Sequence, residues 1–224
     1  NSGRSSIIRS TGARRSSAAT DNFHAGIYGG GDFGAAFLRS GAVYSGHAIH
    51  TDRTIMFAEF ADHARADYRA GTLQVFGEIG WRWKTPHITL EPYLNLAHVR
   101  LATDAFAEEG QAALRAASKI SSVTFTTTGL RSATDFSLGS QRVTASVGAG
   151  WRRALDAPSP LAMLMLSSAN FAVAGVAIGQ DAAVLDAGIT VYPTDNTTVS
   201  LSYNGQVAAN ASQHALAARL KVGF

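Results

Sequence analysis

The chain has no cysteine. That absence excludes disulfide scaffolds, thiol nucleophiles and cysteine-ligated metals, and it leaves the compartment open. No run of about 18 apolar residues occurs, so no transmembrane helix is expected. Charge is scarce, 16% of residues, against roughly a quarter in an average soluble domain. The net charge is +3, and the arginines are scattered instead of clustering on one face with aromatics, which argues against nucleic acid as a partner. Only Arg4, Arg9, Arg14 and Arg15 form a loose basic start. That start is Ser-rich and reads as an exposed or disordered edge. The chain opens on Asn1 with no signal peptide, as a mature piece or an excised fragment would.

What is present is alternation. Val199, Leu201, Tyr203 and Val207 alternate with Thr198, Ser200, Ser202 and Gln206. The same period of two runs through 22–30, 33–49, 72–83, 87–96, 141–152 and 181–192, and, blurred by threonine, through 121–136. The final segment places Leu216, Ala218, Leu220, Val222 and Phe224 on one face, with Arg219 and Lys221 between them. A mean hydropathy of +0.04 resembles a soluble protein, but strands that alternate between lipid and water also average to about zero. A chain of 224 residues is long enough for one sizeable domain.

A soluble sandwich and a membrane barrel both produce such alternation. Two features favour the barrel. The polar face carries charges, Arg39, Glu78, Arg82, Glu91, Arg131, Asp135, Arg142, Arg152, Asp186 and Arg219, suited to lining a hydrated lumen. The apolar face carries Tyr44, Trp81, Trp83, Trp151 and Tyr203 near strand ends, as interfacial girdles do. The links also alternate in length. Short ones are expected at 30–32, 84–86, 137–140 and 193–196, long ones at 50–64, 103–120 and 156–180, and a shorter one at 208–212. In bacterial barrels short turns face the periplasm and long loops face outward. Residues 156–180 are expected to form one hairpin with Phe171 in an arm, and 108–119 a short loop helix.

Several stretches, His24–Gly30, Leu73–Arg82, Leu90–Ala97, Thr128–Arg131, Gly148–Arg152, Val173–Asp181 and Leu220–Phe224, resemble in order and spacing the translocator domain of type V autotransporters of Gram-negative bacteria. The resemblance implies an all-β, antiparallel up-and-down transmembrane barrel of twelve strands, of which about nine to ten are covered. Residues 1–20 would be a partial strand or loop at the N-terminal edge, and 21–224 the barrel. It further implies residence in the bacterial outer membrane, a helix that plugs the lumen, and export of an N-terminal passenger. The expected partners are outer-membrane lipid and lipopolysaccharide, the β-barrel assembly machinery, periplasmic chaperones and the chain's own passenger. No cofactor and no enzymatic activity are expected. Leu220, Val222 and Phe224 resemble the family's assembly signal. Two other readings fit the alternation: a pore or adhesin-like barrel with ligand-binding loops, and a soluble all-β binding domain.

The residues of chemically active types also have ordinary structural readings. Ser45, His47 and Asp52 are the types of a hydrolytic triad, and His47, His50, Asp52, His63 and Asp67 are the types of a metal site. No G-x-S-x-G elbow surrounds Ser45, and polar residues are ordinary in barrel loops. The resemblance also implies, for those family members that cleave their passenger within the lumen, one acidic barrel residue acting with a linker Asn; Glu78 or Glu91 would be that acid here, without the linker. The Gly30–Gly34 stretch lacks the Lys-Ser/Thr of a phosphate loop and reads as a tight turn. Gly148 and Gly150 are expected to lie beneath bulky neighbours.

Overall fold

The computed structural model describes residues 2–11, 14–57, 59–156, 161–167, 169–175, 179–209 and 211–223. Among them there is no helix. Ten long strands follow one another as an antiparallel meander. They are β1 (Ser2–Thr11), β2 (Arg14–Phe33), β3 (Ala36–Phe57), β4 (Phe60–Trp81), β6 (Thr89–Thr103), β9 (Lys119–Leu138), β10 (Gln141–Ala154), β13 (Asp181–Thr194), β14 (Thr197–Ala208) and β15 (Ala211–Val222). The short β5 (Trp83–Lys84) also pairs with β6. A second, four-stranded sheet is built from the long links: β7 (Phe106–Ala107), β8 (Leu114–Ala116), β11 (Leu161–Leu166) and β12 (Ala169–Ala174).

The main sheet is a half-barrel. A cavity of about 440 Å³ on one face is lined together by Glu78 of β4, Asn95 of β6, Thr127 of β9, Arg152 of β10, Asp186 of β13 and Asn204 of β14. Six strands laid flat would spread over roughly 24 Å, so a shared cavity requires that this face be concave. The continuous ladders keep one parity per strand on the concave face. The opposite parity gives a convex face whose large apolar side chains are exposed, including Ile27, Leu73, Val75, Ile79, Leu96, Val147, Leu185, Ile189, Leu201 and Leu216. Buried apolar residues are few by comparison, Phe37, Tyr93, Val123 and Val143 being the large ones. A sheet that turns its apolar side chains outward has its apolar medium outside, not a core within. The two outermost strands, β1 and β15, each pair with a single neighbour among the described residues.

Several sequence expectations shift. The chain at 50–64 is not a loop, because β3 and β4 continue in register to Phe57↔Phe60. Apolar alternation fades there, but the backbone ladder needs no apolar face, and Ile49, Thr51, Thr54 and Ile55 suit a strand. The turn expected at 30–32 falls later: β2 runs to Phe33, and Gly34 adopts a left-handed conformation with φ 67°. The turn at 137–140 narrows around Gly139, φ 63°. The helix expected at 108–119 is replaced by a turn at Gly110, φ 146°, and by β8, which pairs back with β7 just before that stretch. Local Ala content favours a helix there, but strand pairing and contacts from β3 and β4 prevail. Residues 2–11 and 14–20 are strand, so the boundary expected at residue 20 falls inside β2. The hairpin expected within 156–180 is present as β11 and β12, with Phe171 in its second arm.

The second sheet is tied to the long-loop end of β3 and β4. Arg65 and Glu109 form a backbone bridge. Arg53 donates from Nη2 to Glu108 Oε2 at 2.5 Å and to the Ala112 carbonyl at 3.0 Å. Asp62 Oδ2 accepts from the Ala112 amide at 2.6 Å. These amides hold the Asp62 carboxyl below its ordinary value. Burial pushes the Tyr68 phenol up, and its ring stacks on Phe106 at 4.6 Å.

Candidate functional site

The concave face near the short-turn end holds a connected ladder of charges. Direct cross-strand pairing sets Arg39 opposite Glu78 and Glu91 opposite Arg131. Arg131 donates to both oxygens of Glu78, Nη1 to Oε1 at 2.7 Å and Nη2 to Oε2 at 2.9 Å, a bidentate geometry. Arg39 Nη1 reaches Glu78 Oε1 at 3.2 Å, and its Nη2 lies 3.7 Å from Glu91 Oε2. Arg82 donates from Nε to Glu91 Oε1 at 2.5 Å and from Nη1 to Asp32 Oδ2 at 3.1 Å. The run is therefore Asp32–Arg82–Glu91–Arg39–Glu78–Arg131, with three acids against three guanidiniums. Glu78, 8% exposed at its side chain, is the most buried charge in it. A carboxylate so placed is tolerable only when paired, and Glu78 has two cations.

Aromatic rings carry the cations. Arg131 lies over Tyr93 at 3.8 Å, and Arg39 lies over Phe37 at 4.4 Å. Tyr93 in turn lies across bare backbone. A Cβ on Gly129 would meet its hydroxyl at 2.6 Å, and one on Gly150 at 2.9 Å. Gly148 lies under Asp186 in the same way. The two glycines thus have the bulky neighbours expected of them, and Gly150 lets Tyr93 hold Arg131 from below.

The remaining polar residues singled out from sequence share the concave face but stand outside the ladder. Arg152 donates to Gln206 at 2.6 Å and to Thr127 at 3.3 Å. Arg142 lies over Tyr192 at 4.1 Å. Asp135 accepts from Thr144 at 2.5 Å. Arg219 sits opposite Ser200. Sequence reasoning missed Asp32, Phe37 and Tyr93. Asp32 shares the parity of Tyr28 and Gly30, and assigning 30–32 to a turn hid it.

The five aromatics all lie on the convex face. Trp81 and Trp83 lie just before the short 85–88 link, while Tyr44, Trp151 and Tyr203 lie farther toward the long-loop end. Trp151 Nε1 donates to Asp181 at 3.0 Å, and Tyr203 shares a 2.7 Å hydrogen bond with His214. Leu220 and Val222 are exposed on that face in β15, and Phe224 lies outside the described residues. The triad types do not meet. Ser45 bonds His24, His47 bonds Asn22 and Thr72, and Asp52 faces His63 and Arg65 on the other side of the sheet. No group of three or more metal-ligand types is assembled among the described residues.

Three comparisons bear on this arrangement. The family model described as Autotransporter beta-domain matches residues 2–204. Two curated proteins named extracellular serine protease, both from Serratia marcescens, are 34% and 33% identical to the chain over 216 residues. The match covers 95% of this chain and 21% of each of those proteins, so the chain spans about a fifth of their length. The solved translocator domain of autotransporter NalP from Neisseria meningitidis superposes with a TM-score of 0.69 at 16% identity, covering 100% of this chain and 80% of that one. That likeness speaks to the fold.

Proposed function

We propose how export works in this chain, which belongs to the autotransporter beta-domain family. It is an outer-membrane translocator domain that mediates export of a passenger. The observation that carries the reading is the two-faced sheet: exposed aliphatic side chains on the convex side, a paired charge ladder on the concave side. The convex face partitions into lipid and the strands satisfy their backbone within the sheet. The ladder wets the concave face with three acids and three guanidiniums that cancel one another, so a hydrated polypeptide slides past it without being held by a net field. In this reading the short turns are periplasmic and the 104–118 and 155–180 links are external. Trp81 and Trp83 then anchor the periplasmic interface, and Tyr44, Trp151 and Tyr203 the external one. Leu220, Val222 and Phe224 serve as the signal read by the assembly machinery, after delivery by periplasmic chaperones.

This chain does no catalysis of its own. The match covers a fifth of the two relatives named as proteases, and in this reading their protease activity lies in the four fifths it leaves out, as an exported passenger. By the same logic this chain's passenger is an extracellular enzyme. The test is a reporter passenger joined ahead of the domain and expressed in a Gram-negative host. Protease added to intact cells should remove the reporter. A correctly inserted barrel whose reporter stays protected in the periplasm would sink the proposal.

A further inference from the structure

The convex face changes character sharply at one level. On β4 the outward positions run Trp81, Ile79, Gly77, Val75 and Leu73, and then Gly71 and Arg69. From Trp81 to Leu73 is about nine residues, one hydrocarbon thickness for a tilted strand. On β6 the outward leucines end at Leu96, and His98 and Arg100 follow. Arg100 and Leu73 are direct cross-strand partners, as are Leu73 and Tyr44. Arginine therefore enters at the level where the apolar belt stops.

A groove of about 740 Å³ lies at that level, and Phe23, Tyr44, Gly46, Gly71, Arg69 and Arg100 line it. Its aromatic residues are seated on glycine. A Cβ on Gly46 would collide with the Phe23 ring, and one on Gly71 would meet the Tyr44 hydroxyl at 2.8 Å. Phe23 and Tyr44 pack at 5.9 Å between centroids and form its apolar wall. Arg69 and Arg100 are both exposed, and neither makes an ion pair among the described residues. Four residues of strand separate Arg69 from the Arg100 level, roughly 14 Å. Two acids stand nearby. Asp21 is engaged by Arg4 at 3.5 Å, and Asp104 flanks the external end of the groove.

We propose that this groove is a binding site for a phosphorylated glycolipid of the outer leaflet, with Arg69 and Arg100 on its phosphates, Phe23 against the sugar between them, and Tyr44 and Leu73 where its acyl chains enter the belt. The inference rests on the orientation given under the proposed function. Free cations at the water boundary of a lipid-facing wall meet anionic headgroups before any other ligand. Guanidiniums bind phosphate through two parallel donors, and two of them at this spacing suit a disaccharide carrying a phosphate at each end. Phe23 covers the Gly46 backbone and the Tyr44 hydroxyl covers Gly71, so both rings are seated on the sheet beside the two guanidiniums. Asp104 opposes binding by repulsion.

The test uses the protein purified in detergent and titrated, by native mass spectrometry, with purified lipid A, its dephosphorylated form and phosphatidylglycerol. Wild type should prefer lipid A over both other lipids. The R69A/R100A double variant should bind lipid A about tenfold more weakly or worse. R69K/R100K should recover part of the loss, and D104N should bind more tightly than wild type. Equal binding by wild type and the double alanine variant, or equal binding of lipid A and phosphatidylglycerol, overturns the proposal. Insertion into liposomes, read by heat-modifiable gel mobility, is measured on the same samples. If wild type fails to insert, the barrel reading falls and the site with it. If both insert and bind alike, only the site falls.

Discussion

Replacing Glu78 with alanine removes the carboxylate that Arg131 and Arg39 share. The Arg131 contact is bidentate and the glutamate is nearly buried, so most of the loss lies there. Charge-assisted hydrogen bonds contribute about 1.5–3 kcal/mol net. With Tyr93 holding the guanidinium in place, a loss of about 3 kcal/mol follows for that pair. Arg39 is 43% exposed and keeps Glu91 at 3.7 Å, so its share stays below about 1 kcal/mol. The expected destabilisation is about 3–4 kcal/mol, measured by guanidinium unfolding of the inserted domain in liposomes. Glu78→Met combined with Arg131→Met removes both charges and should cost much less than either change alone, because neither ion is left stranded. A double-mutant cycle over Glu78 and Arg131 should give a coupling of about 2–3 kcal/mol. A coupling near zero, with both single variants as stable as wild type, would refute the claim that the ladder holds the concave face together.

Other expectations concern each face and the external sheet. Ile189→Arg places a cation in lipid and should cost about 2–4 kcal/mol, whereas Ser202→Arg, on the concave face, should cost little; insertion yield separates them. Gly129→Leu drives a side chain into Tyr93 and the Ala149 carbonyl, 2.7 Å from a Cβ. It should destabilise by about 1–3 kcal/mol, and Tyr93→Ala in the same chain should relieve part of that, read by unfolding midpoint. Asp62, whose folded carboxyl lies below its ordinary value of 3.8, stabilises the second sheet above that value. The stabilisation is lost as pH falls through the folded value. Proteolysis of the 104–118 link should accordingly accelerate at acid pH, and Asp62→Asn should cleave fast at neutral pH with a flatter profile.

Period-two alternation by itself determined the strands and their faces. Because side chains in a strand alternate strictly, the parity of Leu73, Trp81 or Arg142 was legible without any tertiary knowledge. The lengths of the short links were legible too, since turns are local. Three things were not. Where β3 and β4 end was hidden, because backbone pairing persists after the apolar signal fades at Gly71 and Gly46. The strands at 106–107 and 114–116 were hidden because their partners lie on other strands, and local Ala content pointed to a helix. The ladder itself was hidden in part. Sequence put Glu78 and Arg131 on one face, but Glu78 lies opposite Asn95 in register, and only the curvature of the sheet brings it to Arg131 two strands away. Alternation is set residue by residue; which charges meet is set by curvature and register, which belong to the assembled sheet.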